Sequence, residues 1–78
     1  MTKTEIHNIF KDFIVTVRGQ KAIIFLGYKN TRGEDGFLPY TEEREKEVVK
    51  ICKAQDLKYN IISKTEYKRI AVRLYIEL

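Results

Sequence analysis

The sequence predicts an α+β domain in which two helices cover one face of a four-stranded antiparallel sheet, in the order α-β-β-α-β-β. Two stretches carry apolar residues at helical spacing, and each follows a threonine suited to cap a helix. Each is followed by residues that alternate between apolar and polar, as in strands with one buried face. With 78 residues, 44% of them hydrophobic, residues 1–78 fit a single domain with one core.

The first helix is predicted to start at a capping box, because Thr2–Glu5 has the S/T-x-x-E form. Apolar residues then follow at helical spacing, namely Ile6, Ile9, Phe10 and Phe13. The run Ile14–Val17 is β-branched and fits a strand better. We therefore end the helix at about Lys11 or Asp12. The alternative is a longer helix capped by Gly19, which leaves a three-stranded sheet in the order α-β-α-β-β.

The first hairpin is predicted to turn at Gly19-Gln20, a two-residue loop with a glycine. This turn places three apolar pairs on one face of the sheet, namely Val17 with Ala22, Val15 with Ile24, and Phe13 with Leu26. The second strand is expected to end near Tyr28. A loop from Asn30 to Tyr40 follows, and its length of roughly eleven residues is typical of functional loops.

The second helix is predicted to begin after Thr41. Pro39 sets up its entry, and acidic residues occupy the first turn, where the helix dipole favours negative charge, namely Glu42, Glu43 and Glu45. Four apolar residues share one side of the helix, namely Val48, Val49, Ile51 and Cys52. This is the pattern of an amphipathic helix packed on a sheet.

The second hairpin is predicted to pair Lys58–Ser63 with the alternating segment that begins at Arg69, through a loop around residues 64–67. With Ser63 opposite Lys68, Lys58 stands directly opposite Arg73. Such a like-charge pair destabilises a sheet unless an anion lies nearby. The pairing also predicts that one face is apolar, while the other is basic and aromatic.

This second face is the candidate binding site. Its predicted members are Lys58, Asn60, Arg69, Arg73 and Tyr75, with Lys64 and Lys68 at the rim and Arg32 in the long loop. Net charge is +4 and the pI is near 9.3. Phosphate-binding, stacking and hydrogen-bonding groups together are typical of single-stranded nucleic-acid binders, so the leading hypothesis is a non-enzymatic module that binds single-stranded RNA.

Two other interpretations stay open at this point. The same residues would keep an exposed sheet face in solution, with arginine stems covering its apolar positions. Arginine and tyrosine also anchor protein interfaces, so the chain would equally suit a small regulatory or inhibitory protein that docks on a larger protein. The sequence leaves monomer and homodimer open.

No enzymatic chemistry is predicted from the residues. His7 and Cys52 are the single histidine and the single cysteine, so neither a disulfide within the chain nor a multi-cysteine or multi-histidine metal site is expected, and no cofactor motif is present. The string Gly33-Glu34-Asp35-Gly36 matches G-x-x-G, but its two acids would repel phosphate. No apolar run reaches the ~20 residues of a membrane span. We expect a cytoplasmic protein without a membrane partner.

Overall fold

The computed structural model describes residues 2–31 and 36–78, which form two helices and four strands in the predicted order. Helix α1 spans Lys3–Ile9 and is followed by strands β1 (Ile14–Arg18) and β2 (Lys21–Lys29). Helix α2 spans Glu42–Ala54 and is followed by strands β3 (Tyr59–Glu66) and β4 (Arg69–Glu77). The α+β fold class is confirmed.

Helix α1 begins at the capping box that the sequence predicts. The Thr2 hydroxyl accepts from the Glu5 amide at 3.2 Å, and the Glu5 carboxylate accepts from the Thr2 amide at 3.3 Å. The helix ends at Ile9, two residues before the predicted Lys11, and Phe10 caps it with an amide that donates to the Ile6 carbonyl. The β-branched run from Ile14 follows as a strand, which rules out the longer helix and the three-stranded sheet.

The first hairpin has the predicted register. Val17 stands opposite Ala22 and Val15 opposite Ile24, and Gly19 in the turn has φ +58°. Phe13 lies just before β1 and is not paired with Leu26, because its amide donates to the Phe10 carbonyl instead. Its side chain nevertheless packs against the core.

The sheet has the strand order β1-β2-β4-β3 with every pairing antiparallel. Both helices contribute to a single hydrophobic core on one of its faces. The fully buried members are Ile6, Phe10, Ala22, Ile24, Leu26, Val48, Cys52, Val72, Leu74 and Ile76. The two-layer arrangement leaves the second face of the sheet without a helix.

The second hairpin differs from the prediction in register. Strand β3 continues to Glu66 and turns through Tyr67 and Lys68 alone, so Arg73 stands opposite Ile62 and not opposite Lys58. Tyr67 and Lys68 have φ values of +53° and +61°, which is the conformation that a tight two-residue turn needs. The slip from Lys58 to Ile62 is four residues, an even number, so each residue keeps its predicted face.

Strand β2 contains a β-bulge that the sequence analysis did not predict. Phe25 stands opposite Arg73 and Gly27 opposite Val72, so Leu26 is an extra residue on β2. Gly27 has φ +118°, and a Cβ there would lie 2.6 Å from the Tyr40 backbone nitrogen. Only glycine fits both the conformation and the space.

The loop before α2 is fastened to this bulge by hydrogen bonds. The Tyr28 amide donates to the Leu38 carbonyl at 2.7 Å, and the Tyr40 amide donates to the Tyr28 carbonyl at 2.9 Å. Arg44 of α2 donates to the Leu26 carbonyl at 3.1 Å and to the Pro39 carbonyl at 2.6 Å. One guanidinium therefore joins the bulge, the loop and the second helix.

Two groups near α2 have raised pKa values. Burial, together with a hydrogen bond to Glu45 and the charges of Glu45 and Glu42, raises the pKa of Tyr40 to about 12. Burial in the core raises the pKa of the Cys52 thiol to about 11. Both groups become negatively charged when they lose a proton, and burial disfavours the charged form. The folded state therefore holds these protons more tightly than the unfolded chain does.

Replacing Gly27 with alanine is expected to lower the free energy of unfolding by at least about 1–3 kcal/mol, because the new Cβ meets the Tyr40 backbone in a strained conformation. The matched control is Gly19→Ala, which has positive φ but no atom within 4 Å of the added Cβ. Urea unfolding of both variants measures the difference. Equal losses of stability would show that the close contact with Tyr40 contributes nothing.

Alkaline pH is expected to destabilise the fold. The contributions of Tyr40 and Cys52 are fully present below their unfolded pKa values of 10.0 and 9.0, and are lost as pH rises towards about 12 and about 11. Thermal unfolding between pH 8 and pH 12 measures the decline. Tyr40→Phe should make the decline shallower above pH 10, and an equally steep profile in this variant would contradict the assignment to Tyr40.

Candidate functional site

The candidate site is the face of the sheet that no helix covers, which we call the open face. The strand registers place on it alternate residues of each strand. From β1 to β3 in sheet order these are Ile14, Thr16, Arg18, Lys21, Ile23, Phe25, Tyr28, Arg69, Ala71, Arg73, Tyr75, Glu77, Asn60, Ile62, Lys64 and Glu66. The turn residue Lys68 and the residue before β3, Lys58, lie at its rim.

A row of four aromatic rings crosses the open face. Neighbouring ring centroids are 5.0 Å apart for Phe25 and Tyr28, 5.1 Å for Tyr28 and Phe37, and 6.2 Å for Phe37 and Tyr67, all with edge-to-face geometry. Phe25 and Tyr28 share this face only because the bulge adds a residue between them, since residues three apart in a regular strand point to opposite faces. The bulge therefore creates the row.

Two arginines lie over rings of this row. The guanidinium carbon of Arg73 is 5.2 Å from the Phe25 centroid, and that of Arg69 is 3.8 Å from the Phe37 centroid, both within cation–π range. Arg69 also donates to the Tyr67 carbonyl at 3.1 Å. The rings hold the two guanidinium groups close to the sheet and partly exposed to solvent.

Arg73 has a carboxylate partner, which changes the electrostatics predicted for it. It donates to both oxygens of Glu66, at 2.7 Å and 3.2 Å, in a two-pronged ion pair. The hydrogen bond from Arg73 lowers the pKa of Glu66, and the same bond raises the pKa of Arg73. The counter-charge for Arg73 is thus within the protein, and the predicted clash with Lys58 does not occur.

The open face carries the positive surplus of the residues that the structure describes. With its rim it has seven basic residues and two acidic ones, namely Arg18, Lys21, Lys58, Lys64, Lys68, Arg69 and Arg73 against Glu66 and Glu77. In the rest of residues 2–31 and 36–78, seven basic and seven acidic residues balance each other. A charged partner that approaches this face therefore meets a positive field, and anions are favoured.

Exposed apolar side chains flank the aromatic row on both edge strands. Ile14 of β1 is 56% exposed and stands opposite Phe25, and Ile62 of β3 is 47% exposed and stands opposite Arg73. Neither side chain belongs to the core on the other side of the sheet. The open face thus combines arginines and aromatic rings on its central strands with exposed isoleucines on both edge strands.

A cleft of about 500 Å³ opens at the end of the open face that is farthest from the β3–β4 turn. Tyr75 and Asn60, which stand opposite each other, line it together with Lys21, Lys58 and Glu77. Lys21 and Glu77 are also directly opposite, on β2 and β4. Aromatic, amide, cationic and anionic groups therefore meet in one recess.

Seven of the eight predicted site residues are described by the structure, and all seven lie on the open face or at its rim. Lys58, Asn60 and Tyr75 come together at the cleft, and Arg69 and Arg73 lie over the aromatic row. Lys64 stands opposite Ala71 on the face, and Lys68 lies in the exposed turn. Arg32 lies outside the described residues, as does most of the G-x-x-G string, residues 33–35.

The contributions of β1 and β2 to the open face were not predicted from the sequence. Phe25, Ile23 and Ile14 were not predicted as site residues, although strict alternation with Ile24 and Val15 in the predicted first hairpin places them opposite the core. Phe37, from the loop before α2, also lies on the open face, between Tyr28 and Tyr67.

Comparison with models of protein families, with curated proteins and with solved structures finds no match to this chain. Within residues 2–31 and 36–78, no helix is long and apolar enough to cross a membrane. The same residues contain no group of three or more histidine, cysteine, aspartate or glutamate side chains placed to hold a metal ion.

Proposed function

We propose that this protein is a non-enzymatic module that binds single-stranded nucleic acid, RNA in the first instance, on the open face of its sheet. The observation that supports this most is that the positive surplus of the described residues and a row of aromatic rings lie on the same helix-free surface. Basic residues bind the phosphates of a single strand, and aromatic rings stack on its bases.

The geometry suits a single strand better than a duplex. Bases of a single strand can splay onto a sheet and stack on aromatic rings or on guanidinium planes, and sheet-based RNA modules stack two or three bases in this way. Tyr67 is 73% exposed at one end of the open face, and Tyr75 lines the cleft at the other. Arg69 and Arg73 lie between them, over the rings of Phe37 and Phe25.

A protein partner is the second candidate, and one observation favours it. Ile14 and Ile62 expose 56% and 47% of their surface on the same face. Nucleic-acid phosphates do not form favourable contacts with such apolar side chains. Exposed apolar side chains rimmed by polar residues mark many protein interfaces. An acidic protein would satisfy both the positive charge and the exposed isoleucines, and such a partner would suit a small regulatory or inhibitory protein.

Charge reversal on the open face is expected to weaken the affinity for nucleic acid. Lys58→Glu with Lys64→Glu removes two phosphate contacts and adds two repulsive charges, which should weaken the affinity for single-stranded RNA about tenfold or more. It should also make the log–log salt dependence shallower by about 1.4, at about 0.7 per phosphate. Fluorescence anisotropy of a labelled oligonucleotide at several salt concentrations measures both quantities.

The matched control for charge is Lys3→Glu with Lys50→Glu, which changes net charge equally but lies on the two helices. It should retain nearly the affinity and salt dependence of the unaltered protein. Equal weakening by both double variants would mean that net charge alone attracts the RNA. Absence of binding by the unaltered protein at micromolar concentration and low salt would favour the protein partner.

Replacing Glu66 with glutamine is expected to tighten binding. The change removes the carboxylate that holds Arg73 and frees that guanidinium for phosphate or base, so the affinity should rise about threefold to tenfold and the salt dependence should steepen. Glu47→Gln on α2 makes the same change in charge away from the open face and serves as the control. Unchanged or weaker binding by Glu66→Gln would show that Arg73 acts only with its carboxylate in place.

A further inference from the structure

We infer that the cleft beside Tyr75 is a subsite for one unstacked nucleotide, and that it prefers a base with an exocyclic amino group. This inference rests on the proposed function and adds a specific chemistry to one part of the open face. It follows from the residues that line the recess. The recess combines lysines, an amide and a carboxylate, whereas arginines stacked on aromatic rings lie on the neighbouring part of the face.

The size and composition of the cleft fit a small polar ligand with a flat ring. Its volume of about 500 Å³ falls within the ~300–1,000 Å³ typical of small-molecule sites. Two lysines, an amide, a carboxylate and two tyrosines share its lining with Ile62 and Ile76. A purely apolar groove would accept a side chain or a lipid, whereas this mixture matches a nucleotide.

Of the two tyrosines in the lining, Tyr59 packs against the core, and Tyr75 lies on the open face and is available for stacking. Arginine guanidinium groups lie over the rings of Phe25 and Phe37. Among the residues that the structure describes, Tyr75 is in neither the aromatic row nor a cation–π pair. A base that enters the cleft therefore finds a tyrosine without a competing stacking partner. Stacking of one base on an aromatic side chain is worth about 1–3 kcal/mol.

Asn60 and Glu77 supply contacts for the edge of the base. Asn60 stands opposite Tyr75, and its amide can both donate and accept, which suits the paired donor and acceptor on adenine. The Glu77 carboxylate only accepts, so it suits an exocyclic amino group such as that of adenine or cytosine. Uracil lacks an amino group and would place a carbonyl against this carboxylate.

Lys21 and Lys58 are the phosphate contacts of the subsite. Lys21 stands opposite Glu77 across β2 and β4, and Lys58 immediately precedes β3. Both lysines line the cleft beside Asn60. A nucleotide would then place its base near Tyr75, Asn60 and Glu77, and its phosphate towards the lysines.

The cleft is open towards the rest of the face, so its nucleotide belongs to a strand. Asn60, Ile62 and Tyr75 line the cleft and are also members of the open face. A strand that leaves the cleft passes onto the surface beside Lys64, where a further phosphate would be neutralised. A free mononucleotide has only the two lysines of the cleft as phosphate contacts, and should bind more weakly than an oligonucleotide.

The test uses Tyr75→Trp as a reporter, because the sequence contains no tryptophan and the indole keeps the stacking surface. We titrate this variant with single-stranded RNA of adenine, cytosine or uracil only, of equal length, and with adenosine monophosphate. Stacking should quench the fluorescence. Adenine and cytosine strands should bind at least about threefold more tightly than the uracil strand, and the mononucleotide should bind most weakly.

Two further variants distinguish binding in the subsite from non-specific electrostatic attraction of the strand to the open face. Glu77→Gln should reduce the preference over uracil, because an amide can donate to a uracil carbonyl. Tyr75→Leu should weaken binding about fivefold or more without changing the salt dependence. Tyr67→Leu makes the same substitution at the other end of the face and should leave the base preference intact.

The outcomes distinguish the subsite from the proposed function. If strands bind with a steep salt dependence but Tyr75→Leu and Glu77→Gln change neither affinity nor base preference, the cleft is not a nucleotide subsite and the open face still binds nucleic acid. Equal affinity for the mononucleotide and the strand would overturn the strand-bound subsite in favour of a free-nucleotide site. Absence of binding to every probe would overturn both proposals.

Discussion

The constraint on which the site depends is the β-bulge at Leu26 and Gly27. It lets Leu26 face the core while Phe25 and Tyr28 both face away from it. Gly27 provides the backbone conformation, and Arg44 donates to the Leu26 and Pro39 carbonyls on either side. Without the extra residue, Tyr28 would lie on the helix side and the aromatic row would end at Phe25. A local irregularity in one strand therefore sets the chemistry of a whole surface.

The two faces of the sheet differ in composition. Apolar residues of both helices and all central strands fill one side, and no charged residue is buried there among the described residues. The other side collects the positive surplus, two arginines over aromatic rings, and exposed isoleucines at both edges. Among the described residues, Ala71 is the one fully buried residue of the second side, so the buried apolar contacts concentrate on the first.

The hydrophobic pattern predicts most of the fold, because alternation and helical spacing are local signals. The element order, the four strands, the first hairpin and the face of each residue in the second hairpin follow from it. The β3–β4 register does not, since Tyr67 and Lys68 form a turn that glycine or asparagine usually marks. The bulge cannot be predicted from the local pattern either, because it depends on contacts between residues that are far apart in the sequence, Gly27 with Tyr40 and Leu26 with Arg44. The same contacts explain why Phe25, Tyr28 and Phe37 were not assigned together to the site.

The most direct test is a titration of isoleucine-methyl-labelled protein with single-stranded RNA, followed by NMR. Ile61 and Ile62 are neighbours in β3, both exposed, but Ile61 stands opposite Leu74 of the core face and Ile62 opposite Arg73 of the open face. Binding on the open face predicts that the methyl signals of Ile62, Ile14 and Ile23 shift in a saturable way while that of Ile61 stays in place. Shifts confined to Ile61 and the helix residues Ile9 and Ile51, or no shift at all, would contradict it.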